Sequence, residues 1–390
     1  MLDWLIIGGG IQGCTLATYL LRHKKTSIQQ LGIIDPHQNP LHKWIQNTSI
    51  LEMPFLRSPS IHHLDVEPFA LERYAKKERS RFAAAFTLPY DRPSLELFNE
   101  HSRDVLGELE IPSAWIKGKA AGMIRKKDYW CVVLDNGKEI ESKHVVLAMG
   151  LSEHPHWPEW ATKAKDDGGQ VYHIFSKAPT DFTSLTPPIV LVGGGISAAH
   201  TAIRLCKLYP GQITLVTRHE LRIHQFDSDP AWLGPKNMNP YRTIKDFQKR
   251  RQMILSARHR GSMPTELYLA LMKEQKLGNL SILTNQVENT QILGGQVLFQ
   301  FTDQSEVLAG SVMLATGFHT SPPGMDWLEP TLREQNMRCG VCGYPIVSSV
   351  NLEWTDGLFV MGPLAELEIG PVSRNIAGAR RAAERILQAT

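Results

Sequence analysis

Two short stretches of the sequence place glycines where a backbone could come close to a phosphate. The first is Gly8-Gly9-Gly10-Ile11-Gln12-Gly13, which follows the apolar Trp4-Leu5-Ile6-Ile7 and opens a helical pattern through Ala17, Leu20 and Leu21. In a G-x-G-x-x-G run between strand and helix each glycine has its own task. Gly8 permits the tight turn, Gly10 lets the backbone approach a pyrophosphate, and Gly13 lets the helix lie close to the strand. The helix start adds free N–H groups and the positive end of its dipole. The next strand pattern, Leu31-Gly32-Ile33-Ile34, ends on Asp35, an acid suited to accepting hydrogen bonds from a ribose diol.

The second stretch is Gly193-Gly194-Gly195-Ile196-Ser197-Ala198, preceded by Ile189-Val190-Leu191-Val192 and followed by a helical pattern to Leu208. Ala198 takes the place of the third glycine, which the motif allows. Here the following strand, Ile213-Thr214-Leu215-Val216-Thr217, ends on Arg218-His219 rather than on an acid. A guanidinium at that position can hold a 2′-phosphate, which favours NADPH over NADH; the alternative is a solvated loop arginine. The sequence therefore predicts two dinucleotide sites, the first for FAD or NAD and the second for NADPH.

The elements that must position these loops can be read around them. His144-Val145-Val146-Leu147-Ala148-Met149-Gly150 and Ser311-Val312-Met313-Leu314-Ala315-Thr316-Gly317-Phe318 are continuous apolar strands ending in small residues and glycine. That is the pattern of buried parallel strands. The turn at Thr316-Gly317 reverses the chain near a cofactor. Asn136-Gly137 signals a hairpin before the first of these strands, and Gln296–Phe301 followed by Asp303-Gln304 signals another before the second. Gly357-Leu358-Phe359-Val360-Met361-Gly362-Pro363 and an Ala/Arg-rich helix from Ile376 to Leu387 read as a last return to the first unit. The expected fold is α/β, with two Rossmann-like doubly wound domains and the NADPH domain inserted into the FAD domain. FAD-binding residues would span 1–165 and 320–390, and NADPH-binding residues 166–319. A chain of 390 residues accommodates this at ~100–200 residues per domain.

Composition excludes several other classes. Hydrophobic residues make up 42% and charged residues 21%, as in ordinary globular chains, and the net charge is only +3. No nucleic acid or anionic membrane is implied as a partner. No run approaches the length of a membrane span. The apolar start runs straight into the glycine loop without a signal-peptide pattern, so a cytoplasmic location is expected. Five cysteines in such a chain do not make a disulfide scaffold.

Other constellations carry less. Cys339-Gly340-Val341-Cys342 could be a redox pair or half of a metal site, but a hairpin with incidental thiols accounts for it, and Cys14 reads as a small buried helix residue. His62-His63 and His154-Pro155-His156 lack metal-ligand spacing and read as loop histidines, so no metal is expected. Lys245, Lys249, Arg250, Arg251, Arg258 and Arg260 scatter around a helix axis and read as a solvated face, with steering of NADPH phosphates as the alternative.

The two loops, the Leu314–Phe318 segment and Tyr172-His173 between the units resemble the two-dinucleotide-domain flavoproteins. Among these the chain looks most like the N-hydroxylating FAD/NADPH monooxygenases of lysine and ornithine. The resemblance implies FAD on Gly8, Gly10, Gly13 and Asp35, and NADPH on Gly193, Gly195, Ser197 and Arg218. It places a flavin-side strip at Leu51–Arg57. The family has a glutamine there near the flavin and, five residues on, a lysine on the substrate carboxylate. This chain departs at both positions with Glu52 and Arg57; Arg57 could hold a carboxylate bidentately. His173 would donate a proton between the domains. Gly362-Pro363 departs from the Gly-Asp of many flavoproteins, leaving Glu366 and Asn375 as candidate flavin-side polar groups. The implied activity is hydroxylation of a small N- or S-nucleophile, an amine or amino acid, through a C4a-(hydro)peroxyflavin. Two other readings stay open: a flavin reductase passing electrons from NADPH to an acceptor, and a non-catalytic FAD/NADPH-binding sensor.

Overall fold

The apolar runs become buried parallel strands. In the computed structural model, which describes residues 1–78, 80–82, 84–176 and 181–389, Leu2–Ile7 lies inside an eight-stranded sheet. It pairs in parallel with Leu31–Asp35 on one side and with Glu139–Leu147 on the other. Trp115–Lys117 extends the first flank in parallel. The strand Glu139–Leu147 serves two partners on its far side. Its first half pairs antiparallel with Trp130–Leu134, across the Asn136-Gly137 turn. Its last residues, Val145 to Leu147, pair in parallel with Leu358–Val360.

A second sheet has five strands, all parallel, in the order Leu280–Thr284, Ile213–Thr217, Ile189–Val192, Ser311–Leu314, Val171–His173. Every one of them falls in the sequence between Leu147 and Glu353, where the first sheet contributes no strand. The antiparallel ladder Val287–Leu293, Gln296–Phe301, Glu306–Ala309 is the second excursion. The fold is α/β with two Rossmann-like parallel sheets, as the glycine loops and strand patterns imply. Each sheet has its own apolar interior. Trp4, Ile6, Val146 and Phe359 are fully buried in the first, and Leu191, Leu205 and Met313 in the second. The closing helix Ile376–Ile386 lies against the leading helix Ile11–Arg22, so the two ends of the chain share one core. Among the described residues no helix is long and apolar enough to cross a membrane.

One expectation fails at the level of packing. The helix Phe247–Ala257 is not a solvated cationic face, because Arg250 and Arg251 are buried at 7% and 8% exposure. Their partners are Glu368 and Glu366 from the return segment. Those partners lie far along the chain, beyond the reach of a helical-wheel argument.

Candidate functional site

The first glycine loop is built by close backbone approach. Gly8 has φ +113°, and a Cβ there would lie 2.7 Å from the Ala148 carbonyl oxygen. A Cβ on Gly13 would lie 1.9 Å from the Gly8 carbonyl oxygen, so only glycine lets the leading helix start this near the strand. Gly10 is the opposite case: a Cβ there meets nothing within 4 Å. Gly10 is also the N-cap of the leading helix, and no side chain caps that end. Open space and unsatisfied N–H groups therefore coincide at one point, which is what a diphosphate needs. Asp35 stiffens the loop. It accepts the Gly9 N–H at 2.7 Å on Oδ2 and the His37 N–H at 2.9 Å on Oδ1. Trp115 covers Gly9, with its indole N–H donating to the His37 carbonyl at 2.9 Å.

Gln12 links this loop to the return segment. Its Nε2 donates to the carbonyls of Ser373 at 3.2 Å and Asn375 at 3.3 Å, while its buried Oε1 has no hydrogen-bond partner. Gly362, at φ +59°, would bring a Cβ to 3.1 Å from Gln12 Cγ. Asn375 is the N-cap of the closing helix, and its side chain does not cap it. A loop with room at Gly10, a carboxylate at Asp35 and an unpartnered amide oxygen at Gln12 fits an FAD-sized dinucleotide. The sequence singled out Asp35 and the glycines but missed Gln12 and Trp115.

The second loop repeats the backbone and changes the side chains. Gly193 has φ +150° and would bring a Cβ to 2.5 Å from the Ala315 carbonyl oxygen. Gly195 is the N-cap of Ile196–Leu208, again without a side-chain cap, and Ser197 sits in the first turn. No acid follows the next strand. Arg218 is exposed and forms no ion pair among the described residues. Thr316 donates its hydroxyl to the His156 carbonyl at 2.5 Å, and Gly317 turns the chain at φ +78° with open space at its Cβ position.

Several residues assigned from the sequence turn out to be engaged elsewhere. Arg57 is not free for a substrate carboxylate. It donates to the carbonyls of His224, Gln225 and Phe226, to Asp227 Oδ1 at 2.5 Å and to Ser262 Oγ at 3.0 Å. This arginine pins the strip after Leu51 to the second half of the molecule. Glu52 caps the helix His42–Leu51 in the left-handed region, and Arg204 Nε holds its carboxylate at 2.9 Å. His173 does not stand free at a linker. It is 1% exposed in the edge strand of the second sheet, among the rings of Trp157, Phe175 and Phe318. Burial pushes its imidazole down to about 4, against a smaller opposing pull from the Gly317 backbone. Burial thus favours the neutral imidazole. Glu366 is wholly buried and both its oxygens are held by arginines.

The remaining signals resolve simply. Cys339 and Cys342 are free thiols on a hairpin closed by Gly340 and Tyr344, with Cys339 exposed. Cys14 is buried in the leading helix, and burial pushes its thiol up to about 12. His63 is a buried loop residue whose Nε2 lies 3.1 Å from the Pro68 carbonyl.

Residues 5–152 match the model of a protein family described as FAD-NAD(P)-binding. This is the stretch that carries the first glycine loop and the strand Glu139–Leu147. Solved structures share the fold along the whole chain. The ornithine hydroxylase of Pseudomonas aeruginosa is similar over 99% of this chain and 98% of its own, with a TM-score of 0.76 at 16% identity. The FAD-bound cadaverine monooxygenase of Erwinia amylovora is similar over 100% and 94%, with a TM-score of 0.74 at 15% identity. The bacillithiol disulfide reductase of Staphylococcus aureus shares the fold over 100% and 97%, with a TM-score of 0.64 at 15% identity. No curated protein matches the sequence.

Proposed function

We propose that this chain is an FAD-containing, NADPH-dependent oxidoreductase that hydroxylates a small N- or S-nucleophile, in the class of amines and amino acids. The observation that carries the reading is the pair of uncapped helix starts, one followed by a strand that ends on an acid and the other by a strand that ends on an unpaired arginine. On this reading residues 1–165 and 320–390 hold FAD, and residues 166–319 hold NADPH. Gly8, Gly10 and Gly13 seat the FAD diphosphate, with Asp35 fixing the loop and facing the ribose. Gly193, Gly195 and Ser197 seat the NADPH diphosphate, and Arg218 pairs with its 2′-phosphate. Thr316, Gly317, Gly362 and Asn375 border the two sites. When bound, FAD supplies hydride acceptance and oxygen activation, and the protein supplies orientation and exclusion of water. The likeness to ornithine and cadaverine hydroxylases, at TM-scores of 0.76 and 0.74, supports oxygen transfer.

Anaerobic stopped-flow with NADPH, followed by mixing with O₂, tests the proposal. The expected result is reduction of the flavin by NADPH, then a near-ultraviolet transient distinct from oxidised flavin. Direct return to the oxidised spectrum would favour the reductase. Flavin that stays oxidised under NADPH would favour the sensor.

A further inference from the structure

The arginines that the sequence scattered around a helix come together in space around a single carboxylate. Glu366 Oε1 meets Arg251, and Oε2 meets Arg374 Nη2 at 2.9 Å and Arg258 Nη2 at 3.4 Å. Arg260 stands close enough that its charge disfavours the charged forms of Arg251 and Arg258. The neighbouring Arg250 has its own acid in Glu368 and is neutralised. Three guanidiniums therefore share one buried carboxylate, with the exposed Arg260 beside them, leaving an excess of positive charge. Burial and the other three arginines together push Arg258 down to about 9.

Two further observations point to a missing anion. Arg258 Nε is satisfied by the Pro371 carbonyl at 3.1 Å, whereas its buried Nη2 reaches only Glu366 Oε2, at 3.4 Å and without hydrogen-bond geometry. The cluster also adjoins the first glycine loop, since Arg374 lies between the two residues, Ser373 and Asn375, whose carbonyls bind Gln12. Tyr344 braces the group. It donates its hydroxyl to the Thr320 carbonyl and accepts from Arg374 at 2.9 Å and Arg251 at 3.3 Å. Unpaired buried cations are costly, and a planar guanidinium fork matches an oxyanion.

We propose that Arg251, Arg258 and Arg374, gathered around Glu366, with the exposed Arg260 at their edge, form a receptor for the oxyanion of the substrate, a carboxylate or phosphate, beside the cofactor end of the first sheet. The assignment to substrate rests on the oxidoreductase reading above; the anion site itself does not. It gives the anion-holding task to these arginines rather than to Arg57.

The test is calorimetric titration of the oxidised holoprotein with inorganic phosphate and with glutarate, without turnover. Saturable binding is expected, weakened roughly tenfold or more in Arg258→Gln, the size of one lost charge-assisted hydrogen bond. Arg260→Gln, on an exposed side chain, should weaken it severalfold with an unchanged circular dichroism spectrum, and it decides the matter if Arg258→Gln does not fold. Arg218→Ala and saturating NADP⁺ should leave the binding intact. Absence of saturable binding overturns the site, as does unchanged binding in Arg260→Gln. Displacement of phosphate by NADP⁺ would assign the anion to the dinucleotide and overturn the substrate reading. If the anion binds but the oxygen-dependent transient never forms, the proposed activity falls and the site stands.

Discussion

The two glycine loops share a backbone and differ in how they are held. Around the first, Asp35 grips the Gly9 N–H, Trp115 covers Gly9, and Gln12 ties the loop to the closing helix. Around the second, no side chain bonds the Gly194 N–H among the described residues, and the strand end offers an exposed arginine. Identical turns can thus be made stiff or accessible by the residues placed one layer out. A loop fixed on three sides suits a cofactor that stays, and a loop without those side-chain ties, beside an exposed cation, suits a cofactor that exchanges.

The strongest way to break this comparison is at the backbone of the first loop. Gly13→Val should cost at least about 3 kcal/mol, since its Cβ would overlap the Gly8 carbonyl, whereas Gly10→Ala should change stability by less than about 0.5 kcal/mol and loosen flavin instead. Thermal unfolding with flavin-release measurements checks both, and equal stability losses would sink the distinction between close approach and open cradle. Next in size is the clamp between the halves. Arg57→Ala should destabilise by about 2–3 kcal/mol through lost hydrogen bonds to the 224–227 segment. A large rise in substrate KM with unchanged stability would return Arg57 to the substrate.

The second loop is probed by Arg218→Ala. The expected change is a roughly tenfold rise in KM for NADPH, about 1.4 kcal/mol, with little change for NADH. An unchanged NADPH/NADH preference would remove Arg218 from the site. A separate effect is acid sensitivity. His173 in the second sheet and His63 beside the first have folded pKa values of about 4 and about 3, below the 6.5 of the unfolded chain. The unfolded chain therefore takes up protons first as the pH falls. Stability should decline from pH 6.5 downward, by about 1 kcal/mol per pH unit for each histidine, and each contribution should level off below that histidine's folded pKa. Urea midpoints between pH 7 and 5 measure this, and His173→Gln should flatten the slope; identical slopes would show that His173 is not held neutral.

What the sequence made legible was local. The strand before each loop, the glycines and the terminal residues Asp35 and Arg218 lie within one βαβ unit, where spacing along the chain translates into distance. Arg57 and Glu366 were misread for the opposite reason. Their chemistry is set by partners 170 and 115 residues away, Asp227 and Arg251. Isolated Arg and Glu codes look alike whether they meet water, a substrate or each other. His173 fell between these cases: its position was legible, but its charge state depends on aromatic rings drawn from three separate segments.

The shared strand Glu139–Leu147 has a consequence for how the chain is made. Its last three residues stay unpaired on one side until Leu358–Val360 has been synthesised, long after the strands between Leu2 and Leu147 have left the ribosome. During that interval the nascent chain exposes an apolar, hydrogen-bond-hungry edge of Val145, Val146 and Leu147, a template for wrong pairing. Protein truncated before Leu358 should therefore accumulate as aggregate even though its second sheet is complete.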